Sequence, residues 1–244
     1  MGGYAIEGTR AHERALRAGV PLESVLLGRG LREKPSSRER RLLEDLERSG
    51  CRVHVVPDEI LTSLTDGRNI GAIVGLVRRT DPPALSEIVR LSAGRVPVVL
   101  VAVDVEDPGN VGALTRTALA SGAGALIAVG ISDPFHPRAV RVSMGSVFKL
   151  PILSYPDLPG CMRELAPSGL RSVAAVSSGG VPLPRARFGD RGVALFVGSE
   201  AFGLSDEAAG IVDELVTVPM TPAVDSFSVN AAAAVILYEI GRES

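Results

Sequence analysis

The sequence predicts an α/β protein in two parts, with a mostly parallel sheet in the second part. Three observations carry that reading. Apolar runs of strand length alternate with helix-patterned segments along the chain. The adjacent prolines of Arg78-Arg79-Thr80-Asp81-Pro82-Pro83 disfavour helix before them and break the alternation. Beyond them, Arg191 to Ile240 holds two strands that each end in a loop of Gly, Pro and small polar residues.

At 244 residues the chain can form one large domain or two smaller ones. A hydrophobic content of 45% and a mean hydropathy of +0.24 describe an ordinary soluble protein able to bury a core. Aromatic residues make up only 4% and Trp is absent, so that core must be Val, Leu, Ile and Ala. With a net charge of −2 and a pI near 6.0, no global positive field advertises nucleic acid, and such a partner would need local patches. Of 26 basic residues only Lys34 and Lys149 are lysine, which leaves 24 arginines. Codon usage accounts for that excess as simply as phosphate recognition by guanidinium forks.

Cys51 and Cys161 lie far apart, and His12, His54 and His136 are scattered, so no metal is expected. Glu7 and Arg10 fall where a leader would be apolar or free of acids, which disfavours signal and transit peptides. Ile6 stands where myristoylation needs Ser or Thr. No apolar run approaches membrane-spanning length. The expectation is a cytoplasmic protein without membrane contact.

In chain order, Thr9 to Ala18 reads as a helix with Thr9 as its N-cap and Gly19 as its stop. Ser24 to Leu27 is a short strand. Ser36 and Glu39 form a capping box that launches a helix ending at Ser49-Gly50. Cys51 to Val56 alternates as a strand, Pro57 to Leu64 is a short helix, and Ala72 to Val77 is a third strand. This α-β-α-β-α-β order over residues 1–79 suggests a small layered domain. Between Arg29 and Arg52 eight basic residues face five acidic ones, an excess that fits the solvated face of an amphipathic helix. Residues 80–95 read as a linker with a short helix over Ala84 to Leu91.

The second domain, 96–244, opens with Val96 to Val105, apolar enough for burial on both faces. Val111 to Ala120 is helical, with Asn110 placed as its N-cap. Ala125 to Val129 is a strand, Pro137 starts a helix running toward Val147, and Lys149 to Leu153 is a strand. A helix over Leu158 to Ala166 follows, then strands Arg171 to Val176, Val193 to Val197 and Leu215 to Val218. Ala231 to Ile240 is a helix apolar around most of its circumference, hence buried against the sheet or another subunit. Ligands of open α/β sheets settle at the carboxyl ends of strands, so the loops at Gly198 and Pro219 are where a site should lie. Gly198-x-Glu200-x-x-Gly203 is not a dinucleotide fingerprint, because Glu stands where a second Gly must admit a pyrophosphate.

Taken singly, these residues have ordinary readings. Asn110, Ser226, Ser228 and Asn230 suit helix starts, and Arg116 suits an exposed helix face. Taken together, Asn110-x-Gly112-x-x-x-Arg116, Gly198-Ser199-Glu200-x-x-Gly203, and Pro219-Met220 with Ser226-Phe227-Ser228-Val229-Asn230 form a pattern. That pattern closely resembles the three motifs of the SpoU (TrmH-like) RNA ribose methyltransferases of the SPOUT superfamily. Arg141-Val142-Ser143-Met144-Gly145-Ser146 matches a further block of that family, so the resemblance covers residues 96–240. From Glu7-Gly8-x-Arg10 to Gly71-Ala72-Ile73-Val74, the first domain resembles the small ribosomal-protein-like RNA-binding domain of many members.

The resemblance implies a SPOUT methyltransferase domain with a trefoil knot, paired into a homodimer through that domain. It implies transfer of the methyl group of S-adenosylmethionine to a ribose 2′-hydroxyl of RNA, with ribosomal RNA favoured over tRNA. Carried over, Asn110, Arg116, Glu200, Ser228 and Asn230 form the catalytic set. Val176, Phe196, Gly198, Val218, Met220, Ser226 and Phe227 face the cofactor. Arg10, Arg116, Arg138, Arg141 and Ser143 contact RNA. The family reads Ser-Leu-Asn-Val-Ser where this chain reads Ser226-Phe227-Ser228-Val229-Asn230, which moves the Asn two residues along. The alternative is a catalytically weak or inactive RNA-binding protein of the same fold. A small-molecule methyltransferase would leave the first domain without a role.

Overall fold

The computed structural model describes residues 2–65, 72–91, 96–189 and 191–243. Gly71 and the end of the expected linker, 92–95, lie outside them. The chain forms two compact units, one of residues 1–81 with 135–149, the other of 82–134 with 150–244.

The first unit runs β1 (Gly3–Glu7), α1 (Thr9–Arg17), β2 (Leu22–Gly28), α2 (Arg29–Glu33), α3 (Ser37–Ser49), β3 (Arg52–Val56), α4 (Asp58–Leu64) and β4 (Ile73–Arg78). Its sheet has the order β1-β4-β2-β3, with β2 and β3 parallel and the other pairs antiparallel. The core is aliphatic, built from Val25, Leu27, Leu42, Leu46 and Ile73. The capping box stands as read: Ser36 Oγ accepts from the Glu39 amide while the Glu39 carboxylate accepts from the Ser36 amide. Gly50 closes α3 in the left-handed conformation at φ 73°. Thr9 is not the N-cap of α1. Gly8 holds that position, with no side-chain cap, and its positive φ of 82° is a backbone conformation that suits glycine. The basic run of α2 and α3 is a solvated face with ion pairs Arg32–Glu47, Arg38–Glu13 and Arg48–Asp45.

The second unit continues with α5 (Leu85–Leu91), β5 (Val98–Val103), α6 (Pro108–Ala120) and β6 (Ala125–Val129). Phe135–Lys149, although placed by sequence in the second domain, packs with the first unit as α7 (Pro137–Val142) and a 3₁₀ turn at Ser146–Phe148. There Phe135 and Phe148 meet Tyr4 at ring-centroid distances of 4.9 and 6.5 Å, and the Arg79 guanidinium lies 4.3 Å above Phe135. Burial in this cluster pushes the Tyr4 hydroxyl up to about 12, partly offset by Arg79.

The second unit resumes with β7 (Ile152–Tyr155), α8 (Leu158–Leu165), β8 (Arg171–Ala175), β9 (Val181–Pro182), β10 (Val193–Val197), α9 (Asp206–Gly210), β11 (Glu214–Thr217) and α10 (Val229–Glu243). Lys149 and Leu150 are not strand, because the 3₁₀ turn and Pro151 delay β7 to Ile152. The sheet order is β7-β6-β5-β10-β8-β11-β9, and every pair is parallel. β6 and β10 are buried at every residue, as strands covered on both faces must be. From β5 the chain builds outward on one side through β6 and β7. It then crosses to the other side, where β10 inserts next to β5. The seam between β5 and β10 is therefore the topological switch point, where open α/β sheets bind ligands.

Candidate active site

The loop after β5 supplies the first half of the site. Asp104 sits at φ 51°, left-handed for a residue with a side chain, and turns the chain sharply off the strand end. Its carboxylate accepts from the Ile131 amide at 3.3 Å, and the Val105 amide donates to Ser132 Oγ at 2.9 Å. The turn delivers Asp107, whose carboxylate accepts from the Gly109 amide at 2.5 Å and caps α6, with Pro108 in the first turn. Asn110 is consequently not the cap. It is the third residue of α6, within the first turn, which leaves its side chain free for another partner.

That partner comes from the loop after β10. Asn110 Nδ2 donates to Glu200 Oε1 at 2.5 Å, and the Glu106 amide donates to Glu200 Oε2 at 3.4 Å. A carboxylate at the first turn of α6 is also favoured by the helix dipole. The Gly198–Gly203 loop is held by paired backbone bonds between Ser199 and Gly203, at 3.0 and 2.9 Å. A Cβ on Gly198 would collide with the Gly203 carbonyl and the Leu204 amide, so only glycine allows this fold-back.

Arg116 is exposed on α6. Next to it, Thr117 Oγ1 donates to Asn230 Oδ1 at 2.8 Å, joining α6 to the first turn of α10. Ser228 caps α10, its Oγ accepting from the Ala231 amide at 3.3 Å. The five expected catalytic residues thus divide into Asn110 with Glu200, Asn230 on Thr117, Ser228 as a cap, and Arg116 open to solvent.

Val176, Gly198 and Val218 each follow directly on the last residue of β8, β10 and β11. Those strands are neighbours, so three of the expected cofactor positions stand side by side along the carboxyl edge. Val176, Val218 and Met220 are half-buried, while Ser226 and Phe227 are exposed on the segment leading into α10. Phe196 is different. It is fully buried, and its ring belongs to the core cluster of the sheet.

The expected RNA contacts in the first unit also divide. Arg10 and Arg138 are exposed. Arg141 pairs with the largely buried Glu7, Nη1 to Oε2, at 3.2 Å. Ser143 is fully buried and donates its hydroxyl to the Val140 carbonyl at 2.7 Å, so its side chain supports α7 from within. Among the described residues no group of three or more His, Cys, Asp or Glu could hold a metal ion, and no helix is long and apolar enough to cross a membrane.

No sequence motif singles out Thr117, and its place in the site is visible only through its contact with Asn230. Nothing in a helix interior marks one threonine hydroxyl above another.

Known proteins match this chain along its length. The SpoU rRNA Methylase family model matches residues 97–238, and the model for RNA 2′-O ribose methyltransferase substrate binding matches residues 5–83. An uncharacterized tRNA/rRNA methyltransferase of Mycolicibacterium paratuberculosis is 31% identical over 237 residues, 93% of this chain and 74% of the relative. The 23S rRNA (guanosine-2′-O-)-methyltransferase RlmB of Bordetella pertussis is 33% identical over 218 residues, 85% of this chain and 86% of the relative. Among solved structures, the AdoMet-bound rRNA methyltransferase from Sinorhizobium meliloti superposes with a TM-score of 0.81 at 27% identity, over 98% of this chain and 87% of that one. The SpoU methyltransferase AviRb from Streptomyces viridochromogenes, also with AdoMet, gives a TM-score of 0.85 at 26% identity, over 99% and 90%.

Proposed function

Because the chain belongs to the SpoU rRNA methylase family, we propose that it methylates a ribose 2′-hydroxyl of RNA with S-adenosylmethionine as donor. The observation that carries this reading is the Asn110–Glu200 hydrogen bond, which ties the loops after β5 and β10 together at the switch point of the sheet.

The residues present fit the cofactor. Three adjacent strand ends offer main chain at Val176, Gly198 and Val218, and Met220 and Phe227 add apolar surface for an adenine. When bound, S-adenosylmethionine supplies a methyl group already activated by its sulfonium. What the protein adds is position. Glu200 fixes the Asn110 carboxamide and the start of α6, and so the helix that carries Arg116. A guanidinium stays protonated and only donates, so Arg116 holds an RNA phosphate and stabilises the alkoxide that develops on the ribose.

Ribosomal RNA is the favoured substrate, on the strength of the RlmB relative and the rRNA methyltransferase neighbour. The homodimer is part of the same reading. α10 keeps Val235 and Tyr238 exposed one turn apart, 41% and 71%, on a helix that is apolar through its middle and packed on α6 and β10. So is the trefoil knot in the last part of the chain, which the resemblance implies.

The test is transfer of labelled methyl from S-adenosylmethionine to ribosomal RNA, with the modified nucleotide mapped in RNA from cells with and without the gene. Ser228, engaged as the cap of α10, favours a second reading of weak or absent catalysis. Calorimetry separates the two, since failure to bind S-adenosylmethionine or S-adenosylhomocysteine would support the second.

A further inference from the structure

One face of α6 makes two polar contacts with the rest of the second unit. Asn110 and Thr117 are seven residues apart, two helical turns, and so share a face at a separation of roughly 10 Å along the axis. Asn110 holds Glu200 of the β10 loop, and Thr117 holds Asn230 at the start of α10. Arg116 adjoins Thr117 in the chain and faces solvent.

The direction of the second bond is informative. The Thr117 hydroxyl donates and Asn230 Oδ1 accepts, at 2.8 Å in a partly buried setting. A carboxamide has one acceptor end and one donor end, and here the acceptor end is fixed against α6. What Asn230 still presents is a pair of N–H donors whose direction the Thr117 contact sets. Ser228, with its single short hydroxyl serving the helix cap, is not equivalent.

We propose that Thr117 is a positioning residue for methyl transfer, holding Asn230 so that its amide nitrogen donates to an oxygen of the RNA at the target nucleotide. This rests on the RNA methyltransferase reading above. The occupant is RNA because Asn230 is anchored to Thr117, the chain neighbour of Arg116 on the helix assigned to the phosphate, while the cofactor's main-chain positions Val176, Gly198 and Val218 lie along the ends of β8, β10 and β11.

The experiment compares the full chain with Thr117→Val, Thr117→Ser, Asn230→Asp, Asn230→Ala and the double variant Thr117→Val/Asn230→Ala, using ribosomal RNA and S-adenosylmethionine. Thr117→Val removes the hydroxyl at constant shape and is expected to lower kcat/KM for RNA about tenfold. Affinity for S-adenosylmethionine and the melting temperature should stay close to the wild type, and Thr117→Ser should restore turnover. Asn230→Asp keeps an acceptor for Thr117 but loses the donors, and is expected to lose at least as much activity as Thr117→Val. In an Asn230→Ala background, Thr117→Val should cost nothing further.

A wild-type level of turnover in Thr117→Val overturns the inference, as does a loss confined to melting temperature or cofactor affinity, or full additivity in the double variant. Wild-type protein that methylates no RNA overturns the underlying reading instead, and this shows before any variant is compared.

Discussion

Glu200 accepts a 2.5 Å hydrogen bond from the Asn110 side chain across the seam between β5 and β10. Ninety residues of chain separate the two partners. Each belongs to a loop with its own constraint, a left-handed Asp104 on one side and an obligatory Gly198 on the other. The bond therefore reports that both loops are in register. Glu200→Gln keeps the shape and an acceptor for Asn110, but it turns an amide NH₂ toward the Glu106 amide and removes the charge. Turnover should fall by about 10- to 100-fold, the range for breaking a charge-assisted bond. Single-turnover methyl transfer measures the loss, and cofactor affinity measured alongside should move by less than about threefold.

Arg116 is exposed, so its replacement costs little stability. Arg116→Ala should nevertheless lower kcat by about 100-fold or more if the guanidinium stabilises developing negative charge. Arg116→Lys keeps the charge but not the planar fork and should recover only part of the rate. Circular dichroism and thermal melting of both variants must match the wild type. Unchanged turnover in Arg116→Ala would remove the assigned role.

Gly198→Ala places a methyl group against the Gly203 carbonyl and the Leu204 amide, which are backbone atoms and cannot rotate away. The loop must open, at about 1–3 kcal/mol, a typical cost of overpacking. Affinity for S-adenosylmethionine should fall by at least tenfold, while β10 itself, buried and paired on both sides, stays formed. Titration calorimetry reads the first effect, and protection of the β10 amides from hydrogen exchange reads the second.

Strands were the most legible elements. Ala125–Val129 and Val193–Val197 are apolar throughout and match their predicted bounds, because strands covered on both faces leave unbroken hydrophobic runs. β1 has two polar or glycine ends around a short apolar centre, and β9 is two residues with a proline, so neither carries a usable pattern. α6 starts earlier than its sequence suggests, because Gly109-Asn110 looks like loop although Asp107-Pro108 is an ordinary helix opening. Packing of Phe135–Lys149 with the first unit had no local signature, since Tyr4, Phe135 and Phe148 meet only in three dimensions. For the site, the motif resemblance singled out Asn110 and Glu200, but no periodicity could pair them. Thr117, one half-exposed position within a helical pattern, carries no signal at all.

A dimer through the second unit would cover Tyr238, 71% exposed on α10. Tyr238→Arg should then shift the protein toward monomer, because a buried unpaired charge costs several kcal/mol at an interface. As an exposed residue of the monomer, the new arginine should leave the melting of the separated chain unchanged. Sedimentation velocity at several concentrations distinguishes the outcomes. An identical association state for wild type and variant would rule out this face of α10 as the interface.

His12 makes the acid stability of the first unit predictable. It is fully buried, with Nδ1 2.9 Å from the Gly8 carbonyl, while Nε2 has no hydrogen-bond partner and lies against Gly75. Burial lowers its pKa to about 4, opposed in part by the Gly8 carbonyl. The sign follows from proton counts. Between about 6.5 and about 4 the unfolded chain binds a proton at this site that the folded chain refuses. The stabilising effect of the neutral ring is therefore complete above pH 6.5, declines as pH falls through that window, and levels off below about 4. Over the window the loss amounts to a few kcal/mol. Hydrogen exchange of the β4 amides, followed from pH 7 to pH 4, reads the opening free energy of this unit directly. His12→Gln cannot titrate, so its curve should be flatter than the wild type by that amount. Glu13 and Glu39 also have lowered pKa values and lose their stabilising charge as pH falls below the ordinary carboxylate range, in both proteins alike, so the difference between the two curves isolates His12. Parallel curves would mean that the folded unit protonates His12 as readily as the unfolded chain does.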